Sequence, residues 1–185
     1  MIARFTRLVR ESTAVDARSG VSARFAIAAA ETAAASAVRR AALAGEEQAV
    51  TRVVDLACVV HSLRGKVEFE VSEEGRETEI LAHLLRRATA ETFRSRLGGM
   101  DLSALTDKFA EGNQVESGEL VPAGELLHRI GPVAGLAKVM SRLGMGAGEE
   151  SPGHAAAALE FTLEGLYLMR RLSKEDLDGV SVYRT

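Results

Sequence analysis

No proline occurs before Pro122 in this chain of 185 residues, and the only others are Pro132 and Pro152. Proline removes a backbone N–H and clashes with the preceding helical turn, so a proline-free stretch of this length is open to long helices. Alanine, the best helix former, fills much of it. Trp is absent, and six Phe and two Tyr are present. A β-sandwich or barrel draws on β-branched and aromatic residues, so this composition argues against one. The expectation is a mainly α fold, in one domain or two small ones.

Charge and cysteine content narrow the function classes. The net charge of −3 gives no basic field for nucleic acid. No apolar run approaches the roughly 18 residues of a membrane span. The first residues, Met1-Ile2-Ala3-Arg4-Phe5-Thr6-Arg7, lack the apolar segment of a signal peptide. A single cysteine, Cys58, excludes an internal disulfide and fits a reducing, cytoplasmic setting.

Periodicity divides the chain as follows. Residues 2–11 place Ile2, Phe5, Leu8 and Val9 on one helical face, with Arg4, Arg7 and Arg10 opposite. Residues 12–20 have a loop composition. A long helix is expected over 21–44, its interior nearly all Ala, with Gly45 as its C-terminal stop. A second helix is expected over 46–63, with Glu46 and Glu47 complementing its dipole. Residues 66–71, Lys-Val-Glu-Phe-Glu-Val, alternate with the period of a half-buried strand. Residues 115–121 offer it a weak partner. A third long helix spans 75–97 and ends at Gly98-Gly99.

Shorter helices follow at 102–111, 122–130 and 132–143, the last two opened by proline. A glycine loop covers 144–148. Ser151-Pro152 reads as the start of a final helix to about 172. The polar tail 174–185 is expected to fray. The composition changes near Gly98-Gly99, which divides the chain into 1–97 and 98–185.

Candidate chemistry is sparse. Cys58 and His61 share a helix face, but no second ligand pair exists for a metal. Glu79 and His83 lie four apart, without the repeated Glu-x-x-His of a di-iron bundle; a solvated pair is the simpler reading. No Gly-x-Ser-x-Gly is present, and none of His61, His83, His128 and His154 sits in a catalytic motif. There is also no Gly-x-x-x-x-Gly-Lys-Ser/Thr loop to cradle a triphosphate. The stretch Arg18-Ser19-Gly20-Val21-Ser22-Ala23-Arg24 is different. It opens a helix, where free N–H groups and the dipole favour an anion. Ser19 or Ser22 can cap that helix, and Arg24 adds a fork matched to phosphate oxygens. An ordinary capped helix with a surface arginine remains the commoner meaning of so short a motif.

Residues 18–24 followed by the Ala-rich helix, and then Gly65-Lys66-Val67-Glu68-Phe69-Glu70, resemble the C-terminal lid of AAA+ ATPases of the magnesium chelatase I-subunit and MoxR group. Residues 101–112, Glu-Leu-Val-Pro at 119–122, Glu164-Gly165-Leu166-Tyr167 and Arg170-Arg171-Leu172 are similar, more loosely, to the extension that follows this lid in a magnesium-chelatase-like branch. The resemblance implies a helical lid over 1–97 and a helical extension over 98–185.

It further implies that Arg24 is the sensor 2 arginine, reaching to the γ-phosphate of ATP held with Mg²⁺ in a core domain. Arg18 and Ser22 would stand beside the nucleotide or a subunit boundary. The implied partners are that core, neighbouring subunits of a ring, and a client or chelatase subunit. The phosphate loop, Asp-Glu motif, sensor 1 and arginine finger are missing, so the chain reads as the C-terminal part of a longer protein and is expected not to hydrolyse ATP alone. The alternative is a stand-alone helical interaction module with no nucleotide role. A metal-dependent helical enzyme, resting on Glu79/His83 and Cys58/His61, is a third.

Overall fold

The computed structural model describes residues 1–18, 20–110, 112–146, 151–177 and 179–185. The architecture is mainly α, as the composition requires. Helices α1 (Ile2–Arg10), α2 (Ala23–Ala44), α3 (Ala57–Leu63) and α4 (Glu77–Leu97) come first. Then follow α5 (Ser103–Ala110), strand β1 (Val115–Gly118), α6 (Ala123–Ile130), α7 (Leu136–Leu143), α8 (Pro152–Leu168) and strands β2 (Ser173–Leu177) and β3 (Val180–Arg184). Among the described residues, no helix is long and apolar enough to cross a membrane.

Two apolar cores share α4. The first gathers Phe5 and Val9 of α1, Phe25 and Ala29 of α2, Val59 and Leu63 of α3, and Leu81 and Ala88 of α4. The second gathers Phe93 and Leu97 from the last turns of α4 with Phe109, Leu126, Leu159, Leu163 and Tyr183. The change of core therefore falls inside α4, between Ala88 and Phe93, whereas the composition changes at Gly98-Gly99. Helix α4 is the beam on which both halves rest.

The alanines of α2 explain its packing. Ala29, Ala33, Ala37 and Ala41 form a buried ridge at four-residue spacing. Side chains this short let the axis of α3 come close. Off this ridge, Ile27, Val38 and Leu43 are exposed. In α8 the close approach is made by Gly165, where a Cβ would overlap the Phe93 ring of α4.

Several boundaries differ from the sequence expectation. Residues 66–71 do not form a strand. Phe69 makes one antiparallel bridge with Val15, through Asp16 N–H to the Glu68 carbonyl (3.0 Å) and Glu70 N–H to the Ala14 carbonyl (2.9 Å). The alternation is kept, with Val67 buried and Phe69 half-buried, but Val71 is exposed and turns into a 3₁₀ segment at Val71–Glu73. The partner is a short loop after α1, so the pairing cannot extend into a ladder.

The expected helix 46–63 also shortens. Gly45 caps α2 in the left-handed region at φ 67°, residues 46–52 run without helix, and a 3₁₀ turn at Val53–Leu56 leads into α3. Helix α7 starts four residues later than expected, at Leu136, and α8 stops at Leu168.

The polar tail is not frayed. β2 and β3 pair antiparallel, and β1 joins the other side of β3, giving the order β1-β3-β2. Lys174 and Val115 both stand opposite Tyr183. Polar side chains that made the tail look unstructured meet across the strands, Arg184 in an ion pair with Glu175 at 2.9 Å and the Ser181 hydroxyl donating to Asp176 at 2.6 Å. Such cross-strand ion pairs and hydrogen bonds are a normal source of sheet stability. Expectations at Ser19, at Glu111 and at residues 147–148 of the glycine loop lie outside the described residues.

Candidate functional site

The loop before α2 brings Arg18, Ser22 and Arg24 to one end of the helix and gives each a different environment. Gly20 takes the left-handed region at φ 66° and turns the chain, and Val21 is buried. The Val21 carbonyl accepts from Arg10 Nε at 2.9 Å, which ties α1 to the loop. Ser22 is the residue before the first turn, in extended conformation, but its hydroxyl makes no capping bond. The Phe25 N–H donates to the Ser22 carbonyl at 3.1 Å, so the first-turn donors without a side-chain cap are those of Ala23 and Arg24.

Arg18 is committed locally. Its Nε and Nη2 reach the Asp16 carboxylate at 3.2 and 3.0 Å, and its backbone N–H donates to the same group at 2.8 Å. These bonds hold the Asp16 carboxyl below its usual pKa and raise that of Arg18. Arg24 is exposed on the first turn of α2, with no hydrogen bond or ion pair among the described residues. The geometry leaves Arg24 as the group at this end free to meet an incoming anion.

Neither metal-ligand pair of the sequence analysis comes together. The Cys58 thiol donates to the Asp55 carbonyl at 2.9 Å, while His61 is exposed. Glu79 faces Arg76 rather than His83, at 3.5 Å.

A second polar constellation, which the sequence reading did not contain, lies buried along the seam between the cores. Arg40 of α2 is fully buried, and its Nε bonds the Asp55 carboxylate at 3.2 Å. Its other nitrogens reach Glu46 at 2.8 Å and the Val50 carbonyl at 2.6 Å. Burial alone would weaken its hold on the proton; the hydrogen bonds and charges of Asp55 and then Glu46 outweigh it and raise its pKa. Asp55 also accepts from the Arg52 N–H at 2.7 Å.

The Arg52 side chain carries the chain of contacts into the second core. It donates to the Val121 carbonyl at 2.8 Å and to Glu160 of α8 at 2.5 Å. Ser117 of β1 also donates to Glu160. Arg52 Nε and Glu160 Oε2 are buried without partners among the described residues. One turn later on α8, Glu164 Oε2 accepts from the Tyr183 hydroxyl at 2.7 Å and from Lys174 at 3.2 Å. Burial, and then the Glu164 carboxylate, push the Tyr183 phenol well above its usual pKa, so it stays a donor.

One signal of this network was readable: Glu160 and Glu164 are two carboxylates four apart on an otherwise apolar helix. Arg40 and Arg52 carried none, because surface arginines have the same local sequence. No family model, curated protein or solved structure gives a significant match to the chain.

Proposed function

We propose that the chain is the lid and sensor part of a magnesium-chelatase-like AAA+ ATPase, coupling ATP binding and hydrolysis in a separate core to remodelling of a partner or to metal insertion. The observation that carries this reading is Arg24: an exposed guanidinium, without a partner among the described residues, on the first turn of a 22-residue helix whose Ser22 hydroxyl makes no capping bond. That arrangement suits one contact to a phosphate oxygen and not a whole nucleotide site. ATP and Mg²⁺ would accordingly sit on the core domain, supplying the phosphoryl group on which the guanidinium acts. The bond of Arg18 to Asp16 makes it a loop-ordering residue first, and Ser22 sets the angle at which α2 begins.

Under this reading the rest of the molecule is a lever. Movement of α2 is delivered through Arg40, Asp55 and Arg52 to α8 and the sheet, because buried bonded charges cannot shift independently. Neighbouring ring subunits and a client would meet the surfaces of that lever. The second reading, a stand-alone interaction module, is favoured by the exposed Ile27, Val38 and Leu43 on α2.

The test supplies a magnesium-chelatase I-subunit core in trans and measures phosphate release. The chain alone is expected to be silent. Its addition is expected to raise turnover, and Arg24→Ala to reduce that rise about 10²-fold or more, the usual worth of one preorganised transition-state donor. Equal stimulation by wild type and Arg24→Ala would exclude the sensor role and favour the interaction module.

A further inference from the structure

Between the helical wall of α3 and α4 and the face of the sheet lies a cleft of about 420 Å³. Its two sides differ in chemistry. One side presents Val53, Val60, Ala82 and Leu85; the other presents Ser117, Glu164, Lys174 and Tyr183. The volume lies within the range of small-molecule pockets, which pair an apolar body with a few placed polar groups.

The decisive atom is on Glu164. This residue is more than nine-tenths buried and lines the cleft. Its Oε2 already accepts from both Tyr183 and Lys174, while Oε1 accepts no hydrogen bond among the described residues. A carboxylate oxygen that takes no protein donor and is not sealed off from the cleft is open to an entering donor group. The lining sets Glu164 and Asp176 against Lys174 and Arg86; Asp176 and Arg86 are exposed and screened by solvent, which leaves the buried Glu164 carboxylate and its Lys174 partner as the charges an entering group meets inside. Arg86 and His61 stand on the helical side and are exposed to solvent.

We propose that this cleft is a binding site for a small organic amine: an apolar body lies against Val60 and Leu85, and the ammonium donates to Glu164 Oε1. The site is independent of the phosphate-facing end of α2. A carboxylate head would meet Glu164 as a like charge. A neutral hydroxyl would satisfy Oε1 with a weaker bond.

The experiment is an amide-resolved NMR titration of the full chain at neutral pH with benzylamine, benzyl alcohol and benzoate. Benzylamine is expected to give saturable shifts at Val60, Leu85 and Ser181. Benzyl alcohol should bind about tenfold more weakly, the worth of one charge-assisted hydrogen bond, and benzoate should give no saturable shift. Glu164→Gln is expected to remove the preference for the amine. Ala57→Phe, at an exposed position on the rim, is expected to block both benzylamine and benzyl alcohol without lowering the melting temperature. Lys174→Met frees Oε2 and removes a competing ammonium, and should tighten benzylamine. The proposal is overturned if benzoate binds as well as benzylamine, if Glu164→Gln keeps the preference, or if no ligand shifts these amides in the wild type.

Discussion

Arg24 and Arg40 stand sixteen residues apart on α2 and are opposites. Arg40 is fully buried and is held by Asp55, Glu46 and the Val50 carbonyl. Arg24 is exposed, and no partner claims it among the described residues. One helix thus carries a cation that the fold is built around and a cation that the fold does not use. Burial of a charge is tolerated only with bonded partners, so Arg40 is explained by architecture alone. Among the described residues nothing in the packing explains Arg24, and at the positive end of a helix dipole its charge is mildly unfavourable. A side chain with no structural role at a mildly unfavourable position is where binding is to be sought.

The comparison breaks most visibly at Asp55. Asp55→Ala removes three contacts to Arg40 and the acceptor of the Arg52 N–H at once. It is expected to cost about 3–5 kcal/mol, because it leaves a buried guanidinium short of its counter-charge. Urea denaturation followed by circular dichroism measures it. The paired change Asp55→Leu with Arg40→Met should cost clearly less, since no orphaned cation remains. A loss below about 1 kcal/mol for Asp55→Ala would show that the network is ornamental and that the two arginines differ less than their burial implies.

The other pole is tested at Arg24. Arg24→Ala is expected to leave stability unchanged or to raise it by about 0.3 kcal/mol, because it removes a positive charge from the first turn. Arg24→Glu reverses the sign of that interaction and should stabilise further, by up to about 1 kcal/mol at low salt. Melting temperatures at low and high ionic strength check both. A destabilisation above about 1 kcal/mol would mean that Arg24 has a structural partner, and the contrast with Arg40 would collapse.

The same contrast marks how much was legible in the sequence. The helices were readable because alanine spacing and missing prolines act locally, and Arg24 was readable because a helix start has a local signature. Arg40 was not, since its partners come from Glu46 and Asp55 beyond the end of its own helix. Those acids also decide the correction at 46–52: Glu46 turns inward to Arg40 and to the Ala123 N–H (2.6 Å), which holds the segment out of the expected helix. The tail misled for the related reason that Arg184 and Lys174 find their partners across the strand and on α8. A strand with alternating apolar residues was expected at 66–71, but a ladder needs a long enough partner, and the loop at Val15 provides one residue. The cleft beside Glu164 belongs to the same class, because no local pattern says which carboxylate oxygen is left without a donor.

Arg18 is the intermediate case, exposed like Arg24 and partnered like Arg40, and it carries the smallest expected effect. Its side chain is 90% exposed, so its bond to Asp16 is screened by water and salt. The bond lowers the Asp16 pKa in the folded state below the ordinary value of 3.8. Its stabilisation is therefore fully present above that ordinary value and is lost as the pH falls through the lowered folded one. Asp16→Asn keeps an acceptor for the Arg18 N–H and loses the charge, which isolates the electrostatic part. The difference in urea midpoint between wild type and Asp16→Asn should be flat above about pH 5, shrink as the pH drops below the ordinary carboxylate value, and shrink again in about 1 M salt. A difference that persists at low pH and high salt would show that Asp16 acts through the loop backbone and not through Arg18. Arg18 would then join Arg24 as a cation the fold leaves free, and the N-terminal end of α2 would hold two such arginines instead of one.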